Sequence, residues 1–290
     1  MLHRLVNVRV SFYEDAHSFL FDAGQVLASD PLRYSVIATN AERPRTSDRP
    51  YWFATVLEGD SSIAGVAMRT QPDPPHAGFV PRMCNAAVGA LATALTRRHE
   101  RVPAWNGDLT AARALCEVAS DGHPVQVVMH TRLFEARQVT WPPTPPGTLR
   151  KATDADEELI ADWLCGFHHD FETQGGRTPD PSWRPGIEGI RRSIQRRSFW
   201  LWEVNGMPVH MTGVQPAMFG AARIGPVYTP VGHRGHGYAG WVVAQLTQQI
   251  LSAGVRPCLY TDQANPISNK VYERLGYQRV QDEGNVIVVD

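Results

Sequence analysis

Apolar residues in the second half of the chain recur at spacings that predict an alternation of helices and strands. One stripe with spacing i, i+3, i+4, i+7 and i+11 predicts a helix packed on a sheet. It consists of Ala239, Val242, Val243, Leu246 and Ile250. Residues 198–204 alternate aromatic and aliphatic side chains before Asn205-Gly206, and the apolar pattern returns at 209–215, which predicts a β-hairpin. The other predicted elements of this half are strands at 148–152, 222–229, 258–261 and 278–289 and helices at 154–164, 187–197 and 266–275.

The first half repeats this order more weakly. Its predicted strands are 51–57 and 63–69, around a turn at Gly59-Asp60, then 78–81 and 125–139, and its predicted helices are 85–97 and 109–119. It lacks a glycine-rich turn between the strand at Phe79 and the helix that starts near Asn85. We therefore expect two related domains, of which only the second kept such a loop.

The clearest boundary between the halves is rich in proline. Four prolines occur within five positions, 142–146, and they cannot continue a helix or a central strand. This predicts a linker at 142–147 between domains at 1–141 and 148–290. The fold class predicted is α/β (α+β), with two domains that are each a mixed, mostly antiparallel sheet flanked by helices.

Composition narrows the possible functions. The 290 residues are 43 % hydrophobic and 20 % charged, as in an ordinary globular protein, and the formal net charge of −1 gives no field to attract nucleic acid or an anionic membrane. The four cysteines form no C-x-x-C pair, which argues against a zinc ribbon. Residues 1–24 lack the apolar run of a signal peptide, and no stretch has the roughly 20 apolar residues of a membrane span. We expect a cytoplasmic protein without nucleic-acid or membrane partners, as a monomer or homodimer.

A glycine-rich loop is the segment most typical of ligand binding. It follows the predicted strand through Val227, Tyr228 and Thr229 and leads into the helix of the apolar stripe. The loop residues are Arg234, Gly235, His236, Gly237, Tyr238 and Ala239. Glycines allow close backbone approach, and unpaired N–H groups at a helix start favour a bound anion such as a pyrophosphate. The G-x-x-x-x-G-K-[ST] loop of nucleotide triphosphatases does not occur here.

A second motif follows the loop, at 265–277, and reads N-P-I-S-N-K-V-Y-E-R-L-G-Y. Together with the strand and the R-x-x-G-x-A loop, it resembles the GNAT superfamily of acyl-CoA N-acyltransferases over about residues 148–290. The first half resembles the degenerate partner domain of tandem members. The resemblance implies acetyl-CoA as cofactor and CoA as product, with Val227 to Thr229 pairing with pantetheine and Arg234 to Ala239 holding the pyrophosphate. It also implies that Tyr272 is the general acid.

Spacing within the second motif supports part of this assignment. Asn265, Ser268 and Tyr272 share one helix face, and an apolar face carries Ile267, Val271 and Leu275. We expect Asn265 and Ser268 to contact the cofactor and Tyr272 to protonate the departing thiolate. The alternative for Tyr272 is packing beside the core, and that for Asn265 is an N-cap before the first-turn proline.

The general base is not assigned by the sequence. Residues 221–224 carry no carboxylate, and the candidates are Glu203, His210 and Tyr228. His168-His169-Asp170 could suggest metal ligands, but adjacent histidines point to different sides of a helix, so we expect no metal and interpret the segment as a wall of the acceptor pocket.

The leading hypothesis is acetyl transfer from acetyl-CoA to a primary amine, with a small molecule as acceptor. One alternative is acetylation of a protein lysine or N-terminal amine, and another is a non-catalytic acyl-CoA-binding module. The identity of the amine and the acyl-chain preference are left open.

Overall fold

The computed structural model describes residues 8–43, 51–59, 62–71 and 74–289. The chain forms two compact units. Unit 1 consists of Met1–Thr131 together with Asp282–Asp290, and unit 2 is the continuous segment Arg132–Gln281.

Unit 1 is built on strands that follow one another along the chain. Its elements are β1 (Val8–Tyr13), α1 (Ala16–Ser29), α2 (Ser35–Ala41), β2 (Trp52–Glu58), β3 (Ser62–Arg69), β4 (Gly78–Val80), α3 (Asn85–Arg97), β5 (Ala104–Gly107) and α4 (Leu109–Ala119), and β6 (Val125–Ala136) begins in it. Strands β1 to β4 pair antiparallel in succession, and β4 pairs parallel with β5. Trp105, Leu91 and Leu115 lie in its core.

The last strand of the chain, β12 (Tyr277–Val288), completes this unit. Its second part pairs antiparallel with β5 and places Val286 opposite Trp105. Val286 is fully buried in the same apolar cluster as Leu91. The core of unit 1 therefore contains residues from both ends of the sequence.

Unit 2 contains the predicted glycine-rich loop. Its elements are the end of β6, β7 (Thr148–Lys151), α5 (Glu157–Gln174), α6 (Ile187–Gln195), β8 (Phe199–Val204), β9 (Met207–Val214), β10 (Ala221–Tyr228), α7 (Tyr238–Ser252), β11 (Arg256–Asp262), α8 (Pro266–Arg274) and the start of β12. Short 3-10 turns occupy Asp154–Asp156 and Val231–His233. The hydrogen-bonded strand order is β1-β2-β3-β4-β5-β12-β6-β11-β10-β9-β8-β7. The α/β class with mostly antiparallel pairing is confirmed, although the strands follow one order where the sequence predicts separate sheets.

Two local predictions in unit 2 have a clear physical basis. The turn between β8 and β9 places Asn205 and Gly206 at φ of 51° and 76°, the left-handed pair that matches hairpin twist. On α7, Val242, Val243 and Leu246 are buried in the core. The hairpin and the helix stripe lie where the sequence predicts them.

One face of α8 differs from the prediction. Ile267, expected on the apolar face with Val271 and Leu275, is 76 % exposed. It is the second residue of the helix, where the first turn extends beyond the core, whereas Leu275 is buried and Val271 packs against the core cluster. None of the described helices is both long and apolar enough to cross a membrane.

The compact units are not divided at the proline-rich segment. Residues 141–147 contain neither helix nor strand, as predicted, but the division falls at Thr131, within β6, and again within β12. The divisions fall within strands because β6 and β12 each contribute residues to both units. Strand β6 is divided after Thr131, and β12 is divided after Gln281. The assignment of 1–141 and 148–290 to two related GNAT-like domains, joined by a linker at 142–147, stays a prediction. The Gly59-Asp60 turn lies partly outside the described residues, since Asp60 is not among them.

Candidate functional site

Strand β10 separates from its parallel neighbour halfway along its length. Its register with β11 runs from Ala221, opposite Arg256, to Ile224, opposite Leu259. Beyond Ile224 the register with β9 shifts, and Val227 pairs with Thr212 on that side only. Among the described residues, the opposite edge of β10 therefore has no strand partner over 225–228. Its backbone groups are available to an extended ligand that carries amide groups.

The chain leads from this free edge directly into the start of α7. The backbone of Arg234 is extended, and Gly235 and Gly237 have φ of 83° and 82°. Gly237 is the N-cap of α7, so no side chain of the cap residue bonds the first N–H groups of the helix. A Cβ added at either glycine would meet nothing within 4 Å, so the space beside them is open. First-turn N–H groups and the positive end of the helix dipole thus border an open space, the arrangement that accommodates a phosphate.

The start of α8 is tied to α5. The Asn265 side chain accepts from the Ser268 backbone N–H at 3.0 Å and donates from Nδ2 to Gln174 Oε1 at 2.7 Å. The N-cap alternative for Asn265 is thus present in the structure, and its side-chain oxygen and nitrogen both bond within the protein. Cofactor contact by Asn265 and Ser268 stays a prediction.

Tyr272 combines burial with an unused hydroxyl. It is 8 % exposed, and its ring meets Tyr277 edge-on at 6.0 Å between centroids. No hydrogen bond joins its hydroxyl to the described part of the chain, whereas the Tyr277 hydroxyl bonds Thr247 Oγ1 at 2.6 Å. Burial raises the pKa of Tyr272, so the phenol stays protonated at neutral pH. The side chain can therefore donate its proton.

Comparison with known proteins identifies a family model for part of this unit and solved structures with the same fold. A family model described as FR47-like protein matches residues 218–286, from just before β10 to the end part of β12. A comparison with curated protein sequences gives no match. Among solved structures, the chain is similar to an acetyltransferase from the GNAT family from Colwellia psychrerythraea, at 11 % identity and a TM-score of 0.56, over 97 % of this chain and 100 % of that one.

Two further solved structures share the fold. A GCN5-related N-acetyltransferase from Sphaerobacter thermophilus is 16 % identical with a TM-score of 0.58, over 96 % of this chain and 94 % of that one. A tandem GNAT protein from the clavulanic acid biosynthesis pathway is 12 % identical with a TM-score of 0.56, over 98 % of both chains. The chain has the tandem GNAT fold. The resemblance stated from the two sequence motifs is confirmed.

In this GNAT-fold unit, Arg234 is held by protein partners. Its Nε donates to the Thr229 carbonyl at 2.9 Å, and its terminal nitrogen pairs with the Asp170 carboxylate of α5. The guanidinium lies 6.0 Å from the Tyr228 ring centroid. Sequence reasoning placed Asp170 only in the acceptor wall and missed this pair. The acidic residue near the end of α5 was the available signal, but nothing in the sequence specified its partner.

The rest of the loop packs on itself. His236 bonds the His233 carbonyl through Nδ1 at 3.2 Å and stacks on Tyr238, with centroids 5.4 Å apart and planes 11° apart. Tyr238 is buried, whereas residues 234–237 are exposed. Both histidines therefore help to shape the loop, and His236 also contacts the core through Tyr238.

Two of the three candidate bases of the GNAT-fold unit are held in structural roles. Glu203 accepts from Arg150 Nε at 2.6 Å, next to the ion pair of Arg150 with Asp156. His210 is fully buried, and burial lowers its pKa to about 3, so it is neutral at physiological pH. Neither is an accessible base.

Tyr228, the third candidate, lines the α5 side of β10. Gly166 of α5 lies against its hydroxyl and leaves no room there for a side chain. Burial and then the nearby Asp170 charge raise the pKa of Tyr228. Trp163 lies 6.4 Å away between ring centroids. These aromatic groups form one wall beside the strand end.

The first histidine of the pair on α5 packs against an aromatic ring. His168 stacks on Trp183 at 4.1 Å between centroids. Among the described residues, no group of three His, Cys, Asp or Glu side chains is placed to hold a metal ion. The assignment of residues 168–170 to a wall of the acceptor pocket stays a prediction, as does the absence of a bound metal.

Proposed function

We propose that unit 2 transfers the acetyl group of acetyl-CoA to the primary amine of a small molecule. One observation carries the proposal: the free edge of β10 continues without interruption into the open, glycine-lined start of α7. An amide-bearing arm followed by a diphosphate fits these features in the order in which they occur along the chain. Acetyl-CoA has that chemistry and supplies an acetyl group activated as a thioester.

The residues present would divide the work between binding and proton transfer. Backbone groups of Val227, Tyr228 and Thr229 would bind the pantetheine arm, and N–H groups from Gly235 through Ala239 would bind the pyrophosphate. Arg234 supports the loop through the Thr229 carbonyl and keeps a positive charge beside it. Tyr272 would donate its unused proton to the sulfur as the C–S bond breaks, so that a neutral thiol leaves.

The acceptor would enter beside α5. Trp163 and Tyr228 form an apolar wall there, and the Asp170 carboxylate beside them is paired with Arg234. In the transfer, the nitrogen of the neutral amine bonds to the thioester carbon while the carbon–sulfur bond breaks, water takes the proton that the nitrogen loses, and Tyr272 regains its proton from solvent. Because Glu203 and His210 have protein partners, neither is given the role of base.

We further propose one CoA site per chain. In unit 1 the connection from β4 to α3 is residues 81–84, which contain no glycine, so it does not offer the close backbone approach that glycines give a diphosphate. A cytoplasmic location, a monomeric or homodimeric state and the lack of nucleic-acid or membrane partners stay predictions from the sequence.

The decisive experiment combines calorimetric titration with thiol release. We expect acetyl-CoA to bind with a stoichiometry of one, and thiol release to be stimulated by at least one member of a panel of small amines. Lysine-containing and free-N-terminal peptides belong in the same panel, and stimulation by these alone would replace the small-molecule acceptor by a protein. Binding without turnover on the whole panel would favour the non-catalytic module, and absence of binding would refute the proposal.

A further inference from the structure

Next to the residue that follows β10, a buried histidine is hydrogen-bonded through both ring nitrogens. His210 lies on β9, and its Nδ1 is 2.7 Å from Thr229 Oγ1 while its Nε2 is 2.7 Å from Thr212 Oγ1. The residue is fully buried. A neutral imidazole carries one N–H donor and one bare acceptor nitrogen. One threonine must therefore donate to the ring and the other must accept from it.

The surroundings of Thr212 decide which tautomer is present. Thr212 is fully buried, and His210 Nε2 is the partner that its hydroxyl has in the described part of the chain. If Nε2 carried the proton, the Thr212 O–H would be left in the core without an acceptor. If Nε2 is bare, that O–H is satisfied. The second arrangement is favoured by about tenfold or more, so the proton lies on Nδ1.

This tautomer fixes the direction of the Thr229 hydroxyl. His210 Nδ1–H donates to Thr229 Oγ1, so the Thr229 O–H cannot point back to the ring. No described residue accepts from it, and Thr229 is half-buried, directly after β10. Its carbonyl is fixed by Arg234 Nε at 2.9 Å. The hydroxyl is therefore an oriented donor between the free strand edge and the glycine-rich loop.

We propose that His210 is a positioning residue whose tautomer fixes Thr229 as a hydrogen-bond donor to a carbonyl oxygen of the pantetheine arm of bound acyl-CoA. The proposal rests on the proposed function and adds a side-chain contact to it. The arm's amide carbonyls are acceptors that need a donor at this point along β10. The phosphates would lie further along, beside residues 234–239. With the opposite tautomer the Thr229 O–H would donate to His210 Nδ1, and the hydroxyl could then only accept from a ligand.

The tautomer is measured first, without any ligand or activity. In protein labelled with ¹⁵N in its 11 histidines, the Nε2 signal of His210 is the one that moves in Thr212→Val and stays near its position in Thr212→Ser. We expect that nitrogen to be unprotonated and Nδ1 to be protonated, with no titration between about pH 5 and 8. A proton on Nε2, or titration in that range, would overturn the proposal.

The contact with the arm is tested by calorimetry with two ligands. Thr229→Val removes the hydroxyl at nearly constant volume and should weaken acetyl-CoA binding about fivefold to tenfold, whereas Thr229→Ser should stay close to wild type. Neither substitution should alter binding of adenosine 3′,5′-bisphosphate, which lacks the arm. Unchanged acetyl-CoA affinity in Thr229→Val, or an equal loss for both ligands, would refute the contact.

The two proposals can fail separately. If the wild type does not bind acetyl-CoA, the proposed function and the contact with the arm are both wrong, while the ¹⁵N measurement still reports the His210 tautomer. If acetyl-CoA binds and turns over but Thr229→Val binds it normally, the contact alone is wrong.

Discussion

Replacement of Tyr272 by phenylalanine separates catalysis from packing. The hydroxyl bonds to no described residue, so its loss removes no internal hydrogen bond. The ring keeps its edge-on contact with Tyr277, 6.0 Å between centroids. We therefore expect the free energy of unfolding of Tyr272→Phe to stay within about 0.5 kcal/mol of wild type. The acetyl-transfer rate should fall by about 10² to 10⁴, since a proton donor to the leaving group is lost.

Tyr277→Phe is the matched control because it removes the neighbouring hydroxyl, which does have a partner. That hydroxyl bonds Thr247 Oγ1 at 2.6 Å in the core. Its loss should lower the free energy of unfolding by about 1 kcal/mol and leave the transfer rate nearly unchanged. The two variants should therefore have opposite effects. Tyr272→Phe should lower the transfer rate and keep its stability, whereas Tyr277→Phe should lose stability and keep its transfer rate.

The assay is single-turnover thiol release at saturating acetyl-CoA, with chemical denaturation of each variant. Burial raises the pKa of Tyr272 above its ordinary value, so the protonated form persists through about pH 6 to 9. The ratio of wild-type to Tyr272→Phe rates should therefore be constant over that range. An unchanged rate in Tyr272→Phe, or the same loss in both variants, would leave Tyr272 as a packing residue and assign protonation of the thiolate to solvent.

Three further predictions follow from other parts of the chain. Gly237 and Gly254 lie at opposite ends of α7 and are both left-handed, with φ of 82° and 71°. Replacing either by alanine should lower the free energy of unfolding by about 1 kcal/mol. Calorimetry should show weaker acetyl-CoA binding only for Gly237→Ala. Hydrogen bonds from Arg150 hold the pKa of the Asp156 carboxyl down at about 2. The contribution of the ionised carboxylate to the free energy of unfolding is therefore present above about pH 4 and lost as the pH falls through 2. Denaturant titrations should accordingly show Asp156→Asn less stable by about 2 kcal/mol at pH 7, with the difference vanishing near pH 2. Burial raises the pKa of Cys116 to about 12, so brief alkylation at pH 8 followed by mass spectrometry should mark the exposed Cys84 and leave Cys116 unmodified.

Elements with strong local signals could be predicted from the sequence. The left-handed pair after β8, the stripe of α7 and the Asn265-Pro266 start of α8 each depend on residues a few positions apart. The structure adds β1, α1, α2 and β5, which the sequence pattern did not reveal. In α1, Phe19 is buried whereas Phe21 is 84 % exposed, so the apolar residues do not mark one helix face. Strand β5 has only 4 residues, too few for a periodic signal.

The parts of the site that the sequence could not show are all long-range. His210 and Thr212 share one strand face because they are two residues apart, which period-2 alternation predicts. Thr229 reaches the same ring only through the register shift of β10 after Ile224. Asp170 meets Arg234 across 64 positions of sequence. Such pairings depend on how strands and helices pack, and no local pattern encodes them.

Strand β12 has a consequence for the order in which the protein can fold during synthesis. Unit 2 is continuous, so its residues 132–281 can all leave the ribosome and collapse together. Unit 1 is begun first but needs Val286 and Val288, which seal its apolar cluster, and these emerge only after the whole of unit 2. Until then, β5 with Trp105 has a partner strand on its β4 side only. The half of the chain that is translated first is therefore the half that finishes folding last. A nascent chain cut at residue 281 and tethered to a stalled ribosome by a linker that clears the exit tunnel should have a folded unit 2 and an N-terminal segment still open to proteases.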